Sequence, residues 1–241
     1  MDWRCLSVLS SNFARSLTLA LLLLQVTTGH TVCLKRMIIG QNQFAEATAR
    51  KEIDILVRLS GNSGIVTYIG SSIVEQPARG RDAYIIMEFC SGGHLFGALQ
   101  RMASENRLFS PSEASRLMVQ VAAGVRVLHS QTPPVAHRDL KLENVLLTAD
   151  GECKLCDFGS AAVGPQCVQS ASERSKEEEF IEKNTTLWYR APEMCDLFSL
   201  PRDGLLDEAV DIWALGCIFY AVLFLVHPFQ VRKKDLFNQL P

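Results

Sequence analysis

The apolar positions of the first 90 residues predict a small, mainly β-stranded region with one helix. Thr31–Met37 is apolar and β-branched, which favours a strand, and Gly64–Ser72 and Tyr84–Phe89 predict two more. Glu46–Leu59 has a helical composition and ends just before Gly61. An apolar stripe with the spacing i, i+3, i+4 is expected to face the core: Ile53, Leu56 and Val57.

The first 30 residues allow two interpretations. Leu17–Val26 is a largely apolar run of ten residues, which is typical of the apolar region of a signal peptide and too short for a membrane span. The alternative is a buried strand, followed by a turn at residues 27–30. We favour the strand, because a secreted protein would be an unusual place for the motifs in the middle of the chain. The secretory alternative stays open.

After residue 90 the pattern favours helices. Ser91-Gly92-Gly93-His94 interrupts the chain, as a hinge between two lobes would. Ser110-Pro111-Ser112-Glu113 has the residues of a helix start, with Ser as the cap, Pro at the first position and Glu three residues after the cap. The helix that follows repeats apolar residues at the helical period: Ala114, Leu117, Met118, Val121, Val125 and Leu128.

Two segments of opposite character complete the C-terminal half. Ser160–Asn184 is long and polar, so we expect it to be mobile, and its Glu173–Lys183 portion predicts a short charged helix. Glu208–Val226 is almost wholly apolar, but Asp211 lies inside it and the run is short for a bilayer. A helix buried in a globular lobe therefore explains this segment better than a membrane span.

Composition narrows the class of protein. With 241 residues, 48% of them hydrophobic, the chain can bury one substantial core in a single domain, which two lobes could share. A net charge of −2 gives no sign of a nucleic-acid-binding face. The eight cysteines are irregularly spaced, so we expect reduced, buried thiols rather than a disulfide framework. Cys153 and Cys156 form a C-x-x-C without a second pair at zinc-ligand spacing, and we interpret both as core thiols.

The segment at residues 137–159 carries the candidate chemistry. Its sequence is H-R-D-L-K-L-E-N-V-L-L-T-A-D-G-E-C-K-L-C-D-F-G. Val145–Thr148 and Cys153–Cys156 favour two strands joined at an Ala-Asp-Gly turn. A hairpin of this length holds the residues before it close to the residues after it.

Oxygen-bearing side chains lie on both sides of this hairpin. Asp139 and Asn144 would lie beside Asp157, in a cluster suited to Mg²⁺ and phosphate. The order and spacing resemble the catalytic loop and metal-binding motif of protein kinases, H-R-D-x-K-x-x-N followed by D-F-G. Lys35 extends the resemblance because it lies in a segment similar to the V-A-I-K strand of kinases, and Glu52 is where its partner is expected.

The finer spelling is similar to that of the Numb-associated kinases, most of all to their cyclin-G-associated kinase branch. The family resemblance rests on C-L-K-R-M, R-L-S-G-N, H-R-D-L-K-L-E-N, L-C-D-F-G-S-A, N-T-T-L-W-Y-R-A-P-E-M and D-I-W-A-L-G-C-I, and the branch on T-P-P and H-P-F. Two departures stand out. No G-x-G-x-x-G precedes Lys35, where Leu17–Val26 stands instead, and the chain ends at Pro241, soon after the apolar helix.

The resemblance implies an α+β, two-lobed protein-kinase-like fold that is incomplete. A small β-rich N-lobe would lack the Gly-rich loop, and a mostly helical C-lobe would end after the central buried helix. We expect a divergent N-terminal segment at 1–26, a partial N-lobe with the hinge at 27–90, a partial C-lobe at 91–230 and a divergent tail at 231–241.

The resemblance also implies roles for individual residues. The expected catalytic residues are Asp139, Lys141, Lys35 and Glu52. The expected nucleotide-binding residues are Lys35, Met87, Glu88, Cys90, Asn144 and Asp157, with Asn144 and Asp157 as the Mg²⁺ ligands. Asp139 would orient the substrate hydroxyl and accept its proton, and Lys141 would steady the γ-phosphate. Arg138 is a candidate for tying the activation segment to the catalytic loop, and Thr186 would place a hydroxyl near Asp139.

The implied function is that of a serine/threonine protein kinase that uses ATP and Mg²⁺. Its expected substrates are proteins with Ser or Thr hydroxyls, among them clathrin adaptor subunits, and no nucleic acid or stable membrane span is expected. The expected location is the cytoplasm, with peripheral association at endocytic or Golgi membranes. The alternative is a catalytically impaired, truncated form that acts as a binding or regulatory module. The intact polar positions favour activity, and the missing glycines count against it.

Overall fold

Extended segments of the N-terminal half form one antiparallel sheet. The computed structural model describes residues 31–198, 200 and 204–229, and the backbone of residues 3–9 and 18–25. The strands are β1 (Trp3–Leu9), β2 (Thr18–Gln25), β3 (Thr31–Gly40), β4 (Tyr68–Gln76) and β5 (Gly80–Glu88). Their spatial order is β1-β2-β3-β5-β4. The favoured strand at 17–26 coincides with β2, whereas the burial of that strand, the turn at 27–30 and the tail at 231–241 lie outside the described residues.

The β4–β5 hairpin differs from the sequence prediction at both strands. Its turn comprises only residues 77–79, so the strands extend further into the polar stretch than expected. The strand predicted from Gly64 begins instead at Tyr68, because residues 64–66 bond to the other lobe. Leu155 N–H donates to the Gly64 carbonyl at 2.8 Å, and Val66 N–H donates to the Leu155 carbonyl at 2.9 Å. Gly64 makes this turn with a φ of +84°, which glycine adopts readily.

A single long helix, α1 (Gln43–Leu59), packs against the sheet. Asn42 caps it by accepting two backbone hydrogen bonds from the first turn. The buried face consists of Ala49, Glu52, Ile55, Leu56 and Leu59. The predicted stripe was therefore only partly right: Leu56 is fully buried, but Val57 is 52% exposed. The face that meets the core includes Glu52. A search for apolar residues at helical spacing misses this face because Glu52 is charged.

Helices and short strands make up the rest of the chain. The helices are α2 (Leu95–Ser104), α3 (Pro111–His129), α4 (Ala171–Asn184), α5 (Pro192–Cys195) and α6 (Val210–Phe224), with 3₁₀ turns at Leu142–Asn144 and Leu187–Tyr189. The strands are β6 (Gly93–His94), β7 (Val135–Ala136), β8 (Val145–Leu147), β9 (Cys153–Leu155), β10 (Ala162–Val163), β11 (Gln166–Cys167) and β12 (Leu205–Leu206). β6, β8 and β9 form a three-stranded sheet, β7 pairs with β10, and β11 pairs with β12.

Local sequence signals explain three of these elements. Ser110 and Glu113 form the predicted capping box at the start of α3, each side chain bonding the other residue's backbone N–H. The predicted hairpin around the Ala-Asp-Gly turn is present as β8 and β9. The charged helix predicted at 173–183 is present as α4. Of the two cysteines interpreted as core thiols, Cys153 is buried and Cys156 is half-buried.

Helix α6 is the helix that we expected to be buried in a globular lobe, and it is buried on one face rather than all round. The buried face consists of Val210, Asp211, Ala214, Cys217, Ile218, Ala221 and Val222. Large apolar residues on the opposite side, such as Ile212, Phe219 and Phe224, are 40–55% exposed within the described part of the chain. None of the described helices is both long and apolar enough to cross a bilayer.

The main hydrophobic core connects the two parts of the molecule. Leu56 of α1 and Ile85 of β5 share it with Leu128 of α3 and Ile218 of α6. Phe158, which is fully buried, belongs to the same core. A β-rich N-lobe and a helical C-lobe therefore share one core, and the expected two-lobed α+β fold is confirmed.

Candidate active site

Lys35 joins the two lobes through two carboxylates. β3 holds this residue opposite Ile85 of β5, and its side chain is almost fully buried. Lys35 Nζ donates to Glu52 Oε1 at 2.6 Å and to Asp157 Oδ1 at 2.8 Å. Glu52 belongs to α1, and Asp157 lies just after β9. Three residues that are far apart in the sequence therefore meet. The resemblance implied the pairing of Lys35 with Glu52, whereas the contact of Lys35 with Asp157 was not expected.

The charges of this triad are strongly coupled. Burial alone would lower the pKa of Lys35, but the carboxylates of Asp157 and Glu52 outweigh it and raise that pKa. Burial also opposes ionisation of Asp157, yet the Lys35 ammonium lowers the pKa of Asp157 below its usual value. For Glu52 burial is the larger effect and raises the pKa against the pull of Lys35. Lys35 and Asp157 are consequently an ion pair at neutral pH.

Asp139 forms a second cluster with Lys141 and Thr186. Asp139 Oδ2 accepts from Lys141 Nζ at 2.7 Å, and its Oδ1 accepts from the Thr186 N–H at 2.8 Å. Lys141 Nζ also donates to Thr186 Oγ1 at 2.9 Å. The Lys141 ammonium thus lies beside the carboxylate, and Thr186 lies near Asp139, where the resemblance places its hydroxyl. A carboxylate held by two donors in this way is oriented before any substrate arrives.

The backbone of the catalytic loop is held by Asp211 of α6, which is fully buried. Asp211 Oδ2 accepts from the His137 N–H at 2.7 Å and from His129 Nε2 at 2.9 Å. Its Oδ1 accepts from the Arg138 N–H at 2.8 Å. Arg138 has a φ of 67°, in the left-handed region that is unfavourable for residues with a side chain. Asp211 therefore stabilises a strained backbone next to Asp139. The sequence did not show this role, although Asp211 is the first residue of the D-I-W-A-L-G-C-I segment.

Asn144 and Asp157 suit a divalent cation. The Cys156 N–H donates to the Asn144 carbonyl at 3.0 Å, which holds the residue before Asp157 against Asn144. Asn144 Nδ2 donates to the Asp139 carbonyl at 2.8 Å. Among the described residues its buried Oδ1 has no hydrogen-bond partner. An unpartnered amide oxygen beside an ionised carboxylate fits Mg²⁺, which prefers oxygen ligands.

The residues expected around the adenine base lie at the end of β5 and just after it. Met87 and Cys90 are 8% and 6% exposed. Two backbone groups of Glu88 and Cys90 already have partners inside the protein. The Glu88 N–H donates to the Thr67 carbonyl at 3.0 Å, and the Cys90 carbonyl accepts from the Gly93 N–H at 3.2 Å.

The Glu88 side chain has a role that sequence reasoning missed. Its Oε1 accepts from the Thr67 N–H, from Thr67 Oγ1 and from Lys154 Nζ, each at 2.6 Å. Thr67 precedes β4 in the N-lobe, whereas Lys154 lies on β9 in the C-lobe. Glu88 therefore links the two lobes beside the hinge. The sequence motifs do not predict this contact, because the contact forms only where β9 approaches the hinge.

Comparison with known proteins identifies relatives that match most of the chain. The family model described as "Protein kinase domain" matches residues 18–240. A probable serine/threonine-protein kinase of Dictyostelium discoideum is 40% identical over 207 residues, which is 85% of this chain and 25% of that protein. Actin-regulating kinase 1 of Saccharomyces cerevisiae is 38% identical over 200 residues, 82% of this chain and 30% of the relative.

A third relative likewise matches most of this chain but only a small part of its own length. The serine/threonine-protein kinase ppk30 of Schizosaccharomyces pombe is 40% identical over 185 residues, which is 74% of this chain and 18% of that protein. The chain thus spans between about a fifth and a third of the length of these relatives.

Proposed function

The chain belongs to the protein kinase family, and we propose that it transfers the γ-phosphate of ATP to serine or threonine hydroxyls of proteins. The observation that supports this most is the pairing of Lys35 Nζ with both Glu52 and Asp157, at 2.6 and 2.8 Å. In a kinase reaction this arrangement would bring together a lysine that holds the nucleotide and an aspartate that holds the metal ion. The curated relatives named above are themselves called serine/threonine-protein kinases or kinases.

In the proposed reaction Asp139 acts on the substrate hydroxyl. The hydroxyl oxygen forms a bond to the γ-phosphorus, the bond from phosphorus to the bridging oxygen breaks, and ADP leaves. Asp139 orients the hydroxyl and takes its proton late in the reaction. Lys141, 2.7 Å from Asp139, steadies the charge of the transferred group. The Thr186 N–H donates to Asp139 and orients it. The resemblance places Thr186 where serine/threonine kinases have a hydroxyl near this aspartate.

The nucleotide end of the proposed site consists of Lys35, Glu52, Asn144 and Asp157. Lys35 would hold the α- and β-phosphates, and Glu52 would hold Lys35. Asn144 and Asp157 would hold Mg²⁺, which neutralises phosphate charge when it is bound. Met87, Glu88 and Cys90 would line the adenine pocket, with the Glu88 carbonyl and the Cys90 N–H facing the base.

The sequence around this site also favours one subfamily of protein kinases and one class of substrate. We propose membership of the Numb-associated kinases, near the cyclin-G-associated kinase branch, because the motif spelling resembles theirs. Clathrin adaptor subunits are the substrates that this resemblance implies. One relative is named for actin regulation, which makes actin-regulating proteins a neighbouring substrate class. A cytoplasmic location, peripheral to endocytic or Golgi membranes, would suit either class.

The competing proposal is a binding or regulatory module with little catalysis. No G-x-G-x-x-G precedes Lys35, and backbone N–H groups of such a loop normally bind phosphate. The intact geometry around Lys35 and Asp139 weighs against this alternative. We expect Mg²⁺-dependent ATP binding that is weak, with transfer that is slow but measurable.

Radiolabelled phosphate transfer tests the proposed function. Wild-type protein and an Asp157→Ala variant are incubated with Mg·[γ-³²P]ATP and a mixture of serine and threonine peptides. Asp150→Ala, in an exposed turn, is the matched control. We expect label in the peptides with the wild type and with Asp150→Ala, and almost none with Asp157→Ala. Equal labelling by the wild type and Asp157→Ala would contradict the assignment.

A further inference from the structure

Helix α4 lies between the D-F-G motif at residues 157–159 and the A-P-E sequence at residues 191–193. Its own sequence contributes little to its stability. It is rich in charged residues, and Ile181 is its one buried residue. Short, polar helices are marginal unless their ends and faces are held by other groups. The contacts of α4 with the rest of the protein therefore determine whether this segment is ordered.

Both ends of α4 are held. At the start, Ser170 and Glu173 form a capping box. At the end, the Arg190 guanidinium donates to the carbonyls of Ile181 at 3.2 Å and Thr185 at 3.0 Å. Ser160 Oγ donates to the Asn184 carbonyl at 2.5 Å. Since Ser160 directly follows the D-F-G motif, the last turn of α4 is tied to the metal-binding segment.

One face of α4 contacts the catalytic loop and α1. Arg138 Nη2 donates to Glu177 Oε1, and the Arg138 side chain is only 4% exposed. The ring of Phe180, one turn after Glu177, has two cations near it. The Arg138 guanidinium carbon is 5.3 Å from the ring centroid, and Lys51 Nζ of α1 is 5.2 Å from it. Phe44 of α1 meets the same ring edge-on at 6.3 Å.

The two positive charges at this contact, on Arg138 and Lys51, favour a nearby anion. Arg138 and Lys51 approach the Phe180 ring together, and burial with the nearby Arg138 charge lowers the pKa of Lys51. A buried guanidinium without a carboxylate or phosphate partner would be costly. In regulated kinases phosphorylation of the activation segment supplies that partner through a new arginine–phosphate pair. Here the carboxylate of Glu177 accepts a hydrogen bond from the Arg138 guanidinium.

We propose that Glu177 is a positioning residue that supplies to Arg138 the anion otherwise provided by a phosphate, so that α4 is ordered without phosphorylation. The inference rests on the proposed function. Through Arg138, Glu177 positions the loop that holds Asp139. Through Phe180, the same helix face contacts Phe44 and Lys51 of α1. Helix α1 holds Glu52 at Lys35. The hydroxyls of Ser172 and Ser175 lie on the same acidic helix, where an added phosphate would meet like charge.

The kinetic test uses protein treated with a broad-specificity protein phosphatase. Glu177→Gln removes the charge and keeps the shape, and Glu179→Gln is the control because Glu179 is 64% exposed and pairs with Lys183 on the solvent side. We expect dephosphorylated wild type and Glu179→Gln to keep their full kcat. Glu177→Gln should lose roughly tenfold or more in kcat, the factor that about 1.4 kcal/mol produces, with KM for Mg·ATP changed less. Glu177→Asp should recover part of the loss.

Loss of wild-type transfer on phosphatase treatment, or equal kcat for Glu177→Gln and the wild type, would overturn the proposal. Hydrogen exchange of the amides at 171–184 provides a second test that needs no catalysis. The dephosphorylated wild type and Glu179→Gln should protect these amides, and Glu177→Gln should lose protection. A wild type that fails to transfer phosphate but shows this pattern would refute the proposed function alone. Amides that exchange equally in all three proteins would refute the role of Glu177.

Discussion

Replacement of Asp211 by alanine should damage stability and catalysis together. In the folded protein Asp211 accepts hydrogen bonds from two backbone N–H groups, those of His137 and Arg138, at 2.7 and 2.8 Å. Both donors are buried, because His137 is 0% and Arg138 is 7% exposed. A buried donor left without an acceptor costs about 1–3 kcal/mol, so Asp211→Ala should lose roughly 2–6 kcal/mol of unfolding free energy. His129 is more exposed and can turn to water.

The measurement is thermal and urea unfolding of the wild type, Asp211→Ala, Asp211→Asn and the exposed control Asp150→Ala. A loss of about 2 kcal/mol lowers Tm by roughly 4–8 °C in a protein of this size. Asp211→Ala could fail to fold, because total stability is typically only about 5–15 kcal/mol. Asp211→Asn keeps one acceptor oxygen and should lose a smaller amount.

The same variants test the link to catalysis. Release of the Arg138 backbone should displace Asp139, and a shift on the order of 1 Å can cost about 10²-fold in rate. If Asp211→Asn unfolds like the wild type, to within about 0.5 kcal/mol, and transfers phosphate at the same rate, the role assigned to Asp211 is wrong.

Two further predictions follow from packing and charge. A Cβ at Gly124 would lie 2.9 Å from the Gly64 carbonyl oxygen, so Gly124→Ala should destabilise by about 1–3 kcal/mol of overpacking, offset by about 1 kcal/mol of helix propensity. A Cβ at Gly216 would meet no atom of the described residues within 4 Å outside its own helix backbone, so Gly216→Ala should instead stabilise the protein. Unfolding curves of both variants check this. Burial opposes ionisation of Glu88, but Lys154 and Thr67 lower its pKa below 4.5. Glu88→Gln should therefore lose on the order of 1 kcal/mol at pH 7, a difference that is complete above pH 4.5 and disappears as pH falls through the lower folded-state pKa. A pH-independent difference would contradict this account.

The sequence was most informative where chemistry and spacing coincide. The residues of the two motifs, Asp139 and Asp157, are brought together with Asn144 by the hairpin that the Ala-Asp-Gly turn predicts. Lys35 and Glu52 lie on separate elements, and the family resemblance anticipated their contact. The start of α3 was predictable because a capping box is a local signal that needs no tertiary context.

What the sequence did not show depends on long-range packing. Glu177 is one of three consecutive glutamates, and only the fold selects it as the partner of Arg138. Glu88 bonds Lys154 because the hinge meets β9, which no local pattern describes. The sequence also did not show which face of α6 is buried, because its residues are apolar all round and their periodicity gives no direction.

The most direct test of the central claim separates nucleotide binding from phosphate transfer. Calorimetry measures Mg·ATP affinity, and mass spectrometry counts phosphoserine and phosphothreonine formed in a peptide mixture, for the wild type and for Asp139→Asn. Because Asp139 contacts the substrate hydroxyl in the proposed reaction, both proteins should bind Mg·ATP alike, and the variant should form phosphopeptides about 10²–10⁴-fold more slowly. Equal rates of phosphopeptide formation, or a wild type that binds Mg·ATP yet phosphorylates neither serine nor threonine, would contradict the claim.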